Sequence, residues 1–352
     1  MNLRLLLAAP LLSSGAMAQA VYVDFGANPP SSSYAALASV PGVWNALPIS
    51  ANGLSLPAVD IQGNSTNVLL YLDWGCDSGA CATPPNGDDG ALLGDWFNAD
   101  CYATQHNFLF SNLVPGLYRV HVYGFGESAC NAAGPQVISA RTSVAFLRGT
   151  ISPWPGQLDS ANHFELVTTV DGTGHLGISF GAGGYSGPAG LQIEPITNDI
   201  VPYCFGVLGA CPCASSNGST TGGCATSWSP AGGSIAGAGT ASLSSDSITL
   251  TATNMSAAAA TLIQGTGLWN GQQTFGDGML CVTGTITRLV TRFAPGGTLV
   301  YPDVGDPSLS VSGAVPAGGA TRFCQGWFRD SLPFCMPATF NLTSAVAVAW
   351  HP

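Results

Sequence analysis

The densest polar stretch of the chain lies between 73 and 101, where Asp73, Asp77, Asp88, Asp89, Asp95 and Asp100 are interleaved with Trp74, Trp96, Cys76, Cys81 and Cys101. Carboxylates on a disulfide-braced loop supply the hard oxygen donors that Ca2+ takes, roughly six to eight at a time, with amide oxygens such as that of Asn86 completing the set. Asp73, Asp77, Asp88 and Asp89 are therefore the candidate metal ligands, and Ca2+ the candidate cofactor. The Asp-Gly-Asp order and terminal Glu of a regular calcium loop are missing. A solvated acidic loop, with Asp side chains capping turns and one helix, explains the same residues.

Catalytic chemistry finds less support. Asp88 with Asp95, or Asp73 with Asp100, would suit glycoside hydrolysis only if about 5–10 Å apart across a sugar, and no Glu among apolar neighbours offers an acid of raised pKa. Asp77-Ser78-Gly79 sits between two close cysteines with no matching His region, and Gly184-Tyr185-Ser186-Gly187 lacks the last glycine of a nucleophile elbow. His106, His121, His163, His175 and His351 are scattered and form no HExxH pair. The chain has no Lys, which removes Schiff-base chemistry and lysine phosphate clamps. No catalytic residue is assigned, and the residue types favour binding. A sugar needs a flat aromatic face and a few placed polar groups. Trp74, Trp154 and Tyr185 fall in expected loops, where a sandwich displays its contacts, and are the candidate ligand-binding residues.

The elements that must position these residues read as strands. In Leu117-Tyr118-Arg119-Val120-His121-Val122-Tyr123 the apolar Tyr118, Val120 and Val122 share one face, with Arg119 and His121 on the other, the pattern of a half-buried strand. Val114-Pro115-Gly116 before it is turn chemistry. Ser344 to Trp350 alternates Val346, Val348 and Trp350 against Ala345, Ala347 and Ala349. Further strands are expected at 21–25, 68–73, 107–111, 137–147, 164–170, 175–180, 190–196, 247–253, 260–264, 281–293, 308–313 and 321–328, with one helix at 90–98 capped by Asp88 or Asp89. Short strands, 46 Gly and almost no helix predict an all-β chain of two β-sandwich domains.

Composition sets the compartment. Arg4, the apolar run Leu5 to Leu12 and Ala16-Met17-Ala18 have the layout of a signal peptide over residues 1–20, with an apolar run too short to span a bilayer. Eleven cysteines in an exported chain read as disulfides, and the odd count leaves one over. Expected bridges are Cys76–Cys81, Cys101–Cys130, two among Cys204, Cys211, Cys213 and Cys224, and Cys281–Cys335. Charged residues are 8% of the chain and net charge is -11, which argues against nucleic acid or an anionic membrane surface as partner. Residues 21–199 carry 14 Asp and Glu and 3 Arg, whereas 203–352 carry 5 and 4. That shift across Thr197-Asn198-Asp199-Ile200-Val201-Pro202 places the domain boundary there.

Two resemblances follow from longer patterns. Val23-Asp24-Phe25-Gly26, Pro41-Gly42-Val43-Trp44-Asn45, Ala91 to Phe97, Phe110 to Tyr118 and Gly187 to Ile193 make residues 21–199 resemble a galactose-binding-like jelly-roll domain. Tyr203-Cys204-Phe205-Gly206, Cys211-Pro212-Cys213, Gly223-Cys224-Ala225, Phe275-Gly276-Asp277-Gly278, Gln325-Gly326-Trp327-Phe328-Arg329-Asp330 and Phe340-Asn341-Leu342-Thr343 make residues 203–352 similar to a C-terminal module of secreted planctomycete proteins. The first resemblance implies carbohydrate binding or a structural role; the second implies architecture and location, and because Cys324 stands outside its pattern it implies that Cys324 is the free thiol. The expectation is a secreted, non-enzymatic protein that binds extracellular polysaccharide or cell-surface components. The alternatives are a purely structural envelope component and, below it, a glycan-cleaving enzyme.

Overall fold

The structure, a computed structural model, describes residues 20–38, 40–48, 51, 53–73, 78–80, 85–97, 106–124, 136–142, 146–151, 157–158, 162–183, 188–206, 211–212, 215, 221–269, 273–332 and 334–352. The expected signal peptide up to residue 19, Trp74, Asp77, Trp154, Tyr185 and Cys76, Cys81, Cys101, Cys130 and Cys213 lie outside them. Among the described residues no helix is long and apolar enough to cross a membrane.

The first half is a β-sandwich. One sheet runs in the order His163–Val170, Gly116–Gly124, Pro188–Pro195, Val21–Asp24, Trp44–Ala46, and the other in the order Phe146–Ile151, Gln136–Arg141, Leu176–Gly183, His106–Ser111, Ser65–Asp73, Ser55–Val59. Period-two alternation turns Val21, Val23, Val120, Val122, Leu191 and Ile193 of the first sheet onto Val68, Leu70, Phe108, Phe110, Ile178 and Phe180 of the second. Asn45 ties the sheets at one edge, its amide donating to Tyr22 O at 2.9 Å and Val59 O at 3.0 Å while its oxygen accepts from Val59 N at 2.8 Å.

The strand Gly116–Gly124 departs from expectation. It is buried on both faces, with His121 only 3% exposed and Tyr123 fully covered. The outer face is roofed by the segment 31–40 and the helix Gly87–Leu93, which bring Tyr34, Leu92 and Leu93 into one cluster with Tyr22, Trp44 and Tyr123 of the sheet. That helix starts earlier than expected and yields to a strand at Asp95–Phe97. Asn86, without a side-chain cap bond, precedes it, and Asp88 and Asp89 sit in the first turn rather than capping it. Their carboxylates are committed elsewhere, and the first turn is where the helix dipole favours them.

The second half is layered on a central five-stranded sheet, in the order Ile200–Tyr203, Phe340–Trp350, Ala320–Arg329, Ala259–Gly265, Thr287–Phe293. Residues 200–202 of the boundary segment thus enter this sheet, pairing with Phe340–Trp350. Val346, Val348, Trp350, Cys324 and Phe328 face a three-stranded sheet of Ser234–Ala238, Thr249–Thr253 and Leu299–Tyr301. The small Ala345 and Ala347 face the other way, beneath Cys281, Met279, Tyr203 and Cys204, and Leu117 and Val167 of the first sandwich join that cluster. Residues 308–313 are not a strand: Leu309–Ser312 is a single helical turn, because the apolar run follows a Pro-rich bend and buries Leu309. The expected strand at 281–293 is broken at Gly284, whose φ of +74° belongs to a turn, into Val282–Thr283 and Thr287–Phe293. That at 137–147 is the hairpin of Gln136–Arg141 and Phe146–Ile151.

Among the described residues the disulfides are Cys204–Cys281 and Cys211–Cys224, with Cys335 also bridged and Cys324 free and buried. The expected Cys281–Cys335 pair is therefore wrong, and so is the expectation of two bridges within Cys204, Cys211, Cys213 and Cys224, since Cys204 pairs outside that set. Linear spacing hides that the excursion carrying Cys281 folds back over the strand entered by Cys204 and so meets it first. Burial pushes the Cys324 thiol up to about 12. With 204, 211, 224 and 281 paired and 324 free, the partner of Cys335 lies outside the described residues, and Cys213 is the one such cysteine in the second half of the sequence. A non-reduced digest should contain a Cys213–Cys335 peptide, and iodoacetamide should label Cys324 only after unfolding. Cys204→Ser should lower stability by about 2–4 kcal/mol, read from denaturant melts, because the bridge closes a long loop.

Candidate functional site

Three motifs of the second half converge on one place, and each divides into buried clamps and outward side chains. In Gln325 to Asp330, the fully buried Gln325 donates from Nε2 to Met279 O at 2.9 Å and Thr343 O at 2.8 Å, while its Oε1 accepts from Cys281 N at 2.9 Å. Asp330, also buried, accepts from Ser227 N at 2.9 Å and from the Ser227 hydroxyl. Phe328 enters the core. In Phe275 to Gly278, Asp277 is buried and its Oδ1 accepts from Cys335 N at 3.3 Å and Met336 N at 2.6 Å. Asn341 donates to Ala225 O at 3.0 Å.

The side chains left over are Phe275, Phe340, Trp327 and Arg329, which form a continuous strip. Trp327 and Arg329 lie two apart on one strand and so share a face. Arg329 is directly opposite Phe340 in register. The Phe275 and Phe340 centroids are 5.0 Å apart, those of Trp327 and Phe340 5.7 Å, and the Arg329 guanidinium carbon stands 5.3 Å from the Trp327 centroid. Gly276 permits the approach: its φ is +63°, and a Cβ there would stand 2.3 Å from Phe340 Cε2. Phe275 is 43% exposed, and Trp228, next to the Ser227 held by Asp330, is 60% exposed. Arg329 also donates to the Thr339 hydroxyl at 3.2 Å. The strip therefore offers aromatic faces, a guanidinium and a hydroxyl to solvent, which suits stacking and hydrogen bonding rather than proton transfer.

The sequence motifs contained these four residues, yet site reasoning directed to loops passed over them. The available signal was positional. Along Gln325, Trp327 and Arg329 the covering layer runs out, so side chains of one face go from fully buried to exposed.

The residues selected from the first half fare differently. Asp73 ends the strand Ser65–Asp73. Asp88 accepts from Ser31 N at 2.7 Å and the Ser31 hydroxyl at 2.8 Å, and Asp89 accepts from the Tyr34 hydroxyl. Both carboxylates thereby pin the roof segment 31–40. Its other ties are Gln192 Nε2 to Ala35 O at 3.1 Å, Leu37 N to the Tyr123 hydroxyl at 3.2 Å and the Tyr22 hydroxyl to Val40 O at 2.7 Å. Among the described residues no three His, Cys, Asp or Glu side chains are grouped to hold a metal ion.

Beneath the roof's open end lie His121 and His163. Their Nδ1 and Nε2 are 2.9 Å apart, so one ring donates and the other accepts. Glu194 Oε2 is 3.5 Å from His121 Nε2, and Arg119 meets Glu165 at 3.0 Å. Burial, with His121 adding to it, holds the His163 imidazole down at about 3.

No family model and no curated protein matches the chain. Among solved structures it is similar to a β-glucuronidase of Bacteroides uniformis at 14% identity and a TM-score of 0.30, over 50% of this chain and 18% of that one. It is also similar to the ANX2 ectodomain from Arabidopsis thaliana at 8% identity and a TM-score of 0.30, over 94% of this chain and 97% of that one. The chain thus spans about a fifth of the glucuronidase. Similarity at this level does not extend to activity.

His163 makes stability depend on pH. Below its ordinary value of 6.5 the unfolded chain takes up a proton that the folded His163 refuses until about 3, so stability falls as pH falls through that window. Chemical denaturation between these limits should show a shallower pH slope for His163→Gln than for the wild type. Equal slopes would mean that His163 is free to titrate.

Proposed function

We propose that the protein is a secreted, non-enzymatic protein that binds extracellular glycan or serves adhesion, with the strip Phe275–Phe340–Trp327–Arg329 as its contact surface. The observation that carries this reading is the division of labour within the motifs: the buried polar members Gln325, Asp330, Asp277 and Asn341 clamp backbone, whereas Phe275, Phe340, Trp327 and Arg329 form an aromatic and cationic strip. A ring such as Trp327 stacks the C–H face of a sugar, and Arg329 and Thr339 can bond its hydroxyls. Binding rather than catalysis is supported by the state of the polar groups elsewhere. Asp88, Asp89, Asp277 and Asp330 are engaged with protein donors, and His121 is buried. Export is supported by the disulfides, which form in oxidising compartments.

A glycan array and pull-down on insoluble polysaccharides, each with and without calcium, test the reading. The folded protein should bind at least one glycan class. Trp327→Ala should abolish that binding, and Arg329→Ala should weaken it about 3- to 30-fold, the range of one exposed to partly desolvated cation–π contact. Both variants should melt near the wild type, since neither side chain is in the core. Background-level binding by folded protein would remove the lectin reading in favour of a purely structural envelope role.

A further inference from the structure

We infer that the ligand of the strip Phe275–Phe340–Trp327–Arg329 is an acidic polysaccharide, one whose sugar rings carry carboxylates. This rests on the glycan reading above and names its class of ligand. Arg329 is exposed and, among the described residues, takes part in no ion pair. Its Nη1 donates to the Thr339 hydroxyl at 3.2 Å, and its guanidinium carbon stands 5.3 Å from the Trp327 centroid. Those two contacts hold the planar fork and leave its Nε–Nη2 edge without a partner among the described residues. That edge presents two parallel N–H donors, the pattern that takes a carboxylate with two bonds.

The protein's own carboxylates in this half are committed elsewhere. Asp246 accepts from Ile248 N at 3.1 Å and Ser310 N at 2.8 Å, and Asp303 and Asp306 both meet Arg292. Asp277 and Asp330 are the buried clamps. No other acidic residue occurs between 203 and 352. The segments held by those clamps, 226–231 and 334–339, carry no charged residue, and 274–279 carries only the buried Asp277. They leave Trp228, Phe275, Phe334 and Met336 exposed. Arg329 is thus a lone cation among uncharged, largely aromatic neighbours. Apolar surroundings screen a charge less than water does, so a ligand carboxylate gains more there than on an open polar surface. A neutral sugar would use the rings and leave the charge unmatched. A pyranose bearing a carboxylate uses both, its ring on an aromatic face and its anion on the fork. The acidity of the chain does not oppose this, because residues 21–199 carry 14 acids against 3 Arg whereas 203–352 carry 5 against 4. At physiological salt, exposed charges more than about 8 Å away are largely screened.

Binding of the full protein to polygalacturonate, alginate and hyaluronan, each beside its methyl-esterified form, tests this, with cellulose, xylan and dextran sulfate in parallel. Esterification keeps the ring and the linkage and removes the charge. At least one polyuronate should bind about 10- to 100-fold more tightly than its ester, the range of a hydrogen bond to a charged group. Arg329→Gln should lose that preference, so that acid and ester bind it alike, and it should melt near the wild type because the side chain is exposed. Three results overturn the carboxylate assignment and leave the glycan reading standing. They are an ester bound as tightly as its acid, a neutral or sulfated glycan bound in preference to every polyuronate, and a preference that survives in Arg329→Gln. Background-level binding of folded protein to all of these probes, neutral and acidic, removes both.

Discussion

The second half depends on one side chain that bonds to backbone on both sides of a layer boundary. Gln325 is buried in the central sheet, and its amide joins Met279 and Cys281 of the overlying excursion to Thr343 of the neighbouring strand. An amide so placed cannot be removed without leaving several backbone groups unpaired, each costing about 1–3 kcal/mol. The Cys204–Cys281 bridge closes the same layer covalently. Together they fix the distance between excursion and sheet, and that distance decides where the cover ends. Phe275, Phe340 and Trp327 meet along that border.

In the first half, polar groups do an analogous job on the outside of a sheet. Tyr22, Tyr123, Gln192 and Glu194 would be exposed on a two-layer sandwich, but the roof segment 31–40 covers them and is in turn held by Asp88 and Asp89. Buried polar groups bonded in this way specify one position for the segment, because sliding it would strand several donors at once. The same cover takes His121 and Tyr123 out of solvent and places His163 where it cannot take a proton near neutrality.

Both halves therefore use aromatic and polar side chains first for architecture, and what remains accessible is limited. Asp24 stands out because it is fully buried while its Oδ1 has no hydrogen-bond partner. The aromatic strip stands out for the opposite reason, since its residues are free of any structural bond that requires their side chains, apart from Arg329 to Thr339.

Strand alternation made the all-β class, the sandwich cores and the burial of Val120, Val122, Val346 and Val348 legible in the sequence, because period two is a local property of the backbone. The odd cysteine count required one left over, and the resemblance to the C-terminal module, whose pattern omits Cys324, pointed to the thiol that is free. Three things were not local. Which cysteines meet depends on how the excursion between the strands Ala259–Gly265 and Thr287–Phe293 folds over a sheet, so Cys281 found Cys204 rather than Cys335. Whether the second face of Gly116–Gly124 is wet depends on a roof that comes from 31–40, far along the chain. Which aromatic residues face solvent depends on where a covering layer stops, a boundary set by Gln325 and Asp277 and written in no single stretch of residues. The sequence by itself determined the pattern of each strand; only the tertiary structure decided what lay on top of it, because coverage is made by segments whose proximity is a long-range consequence of packing.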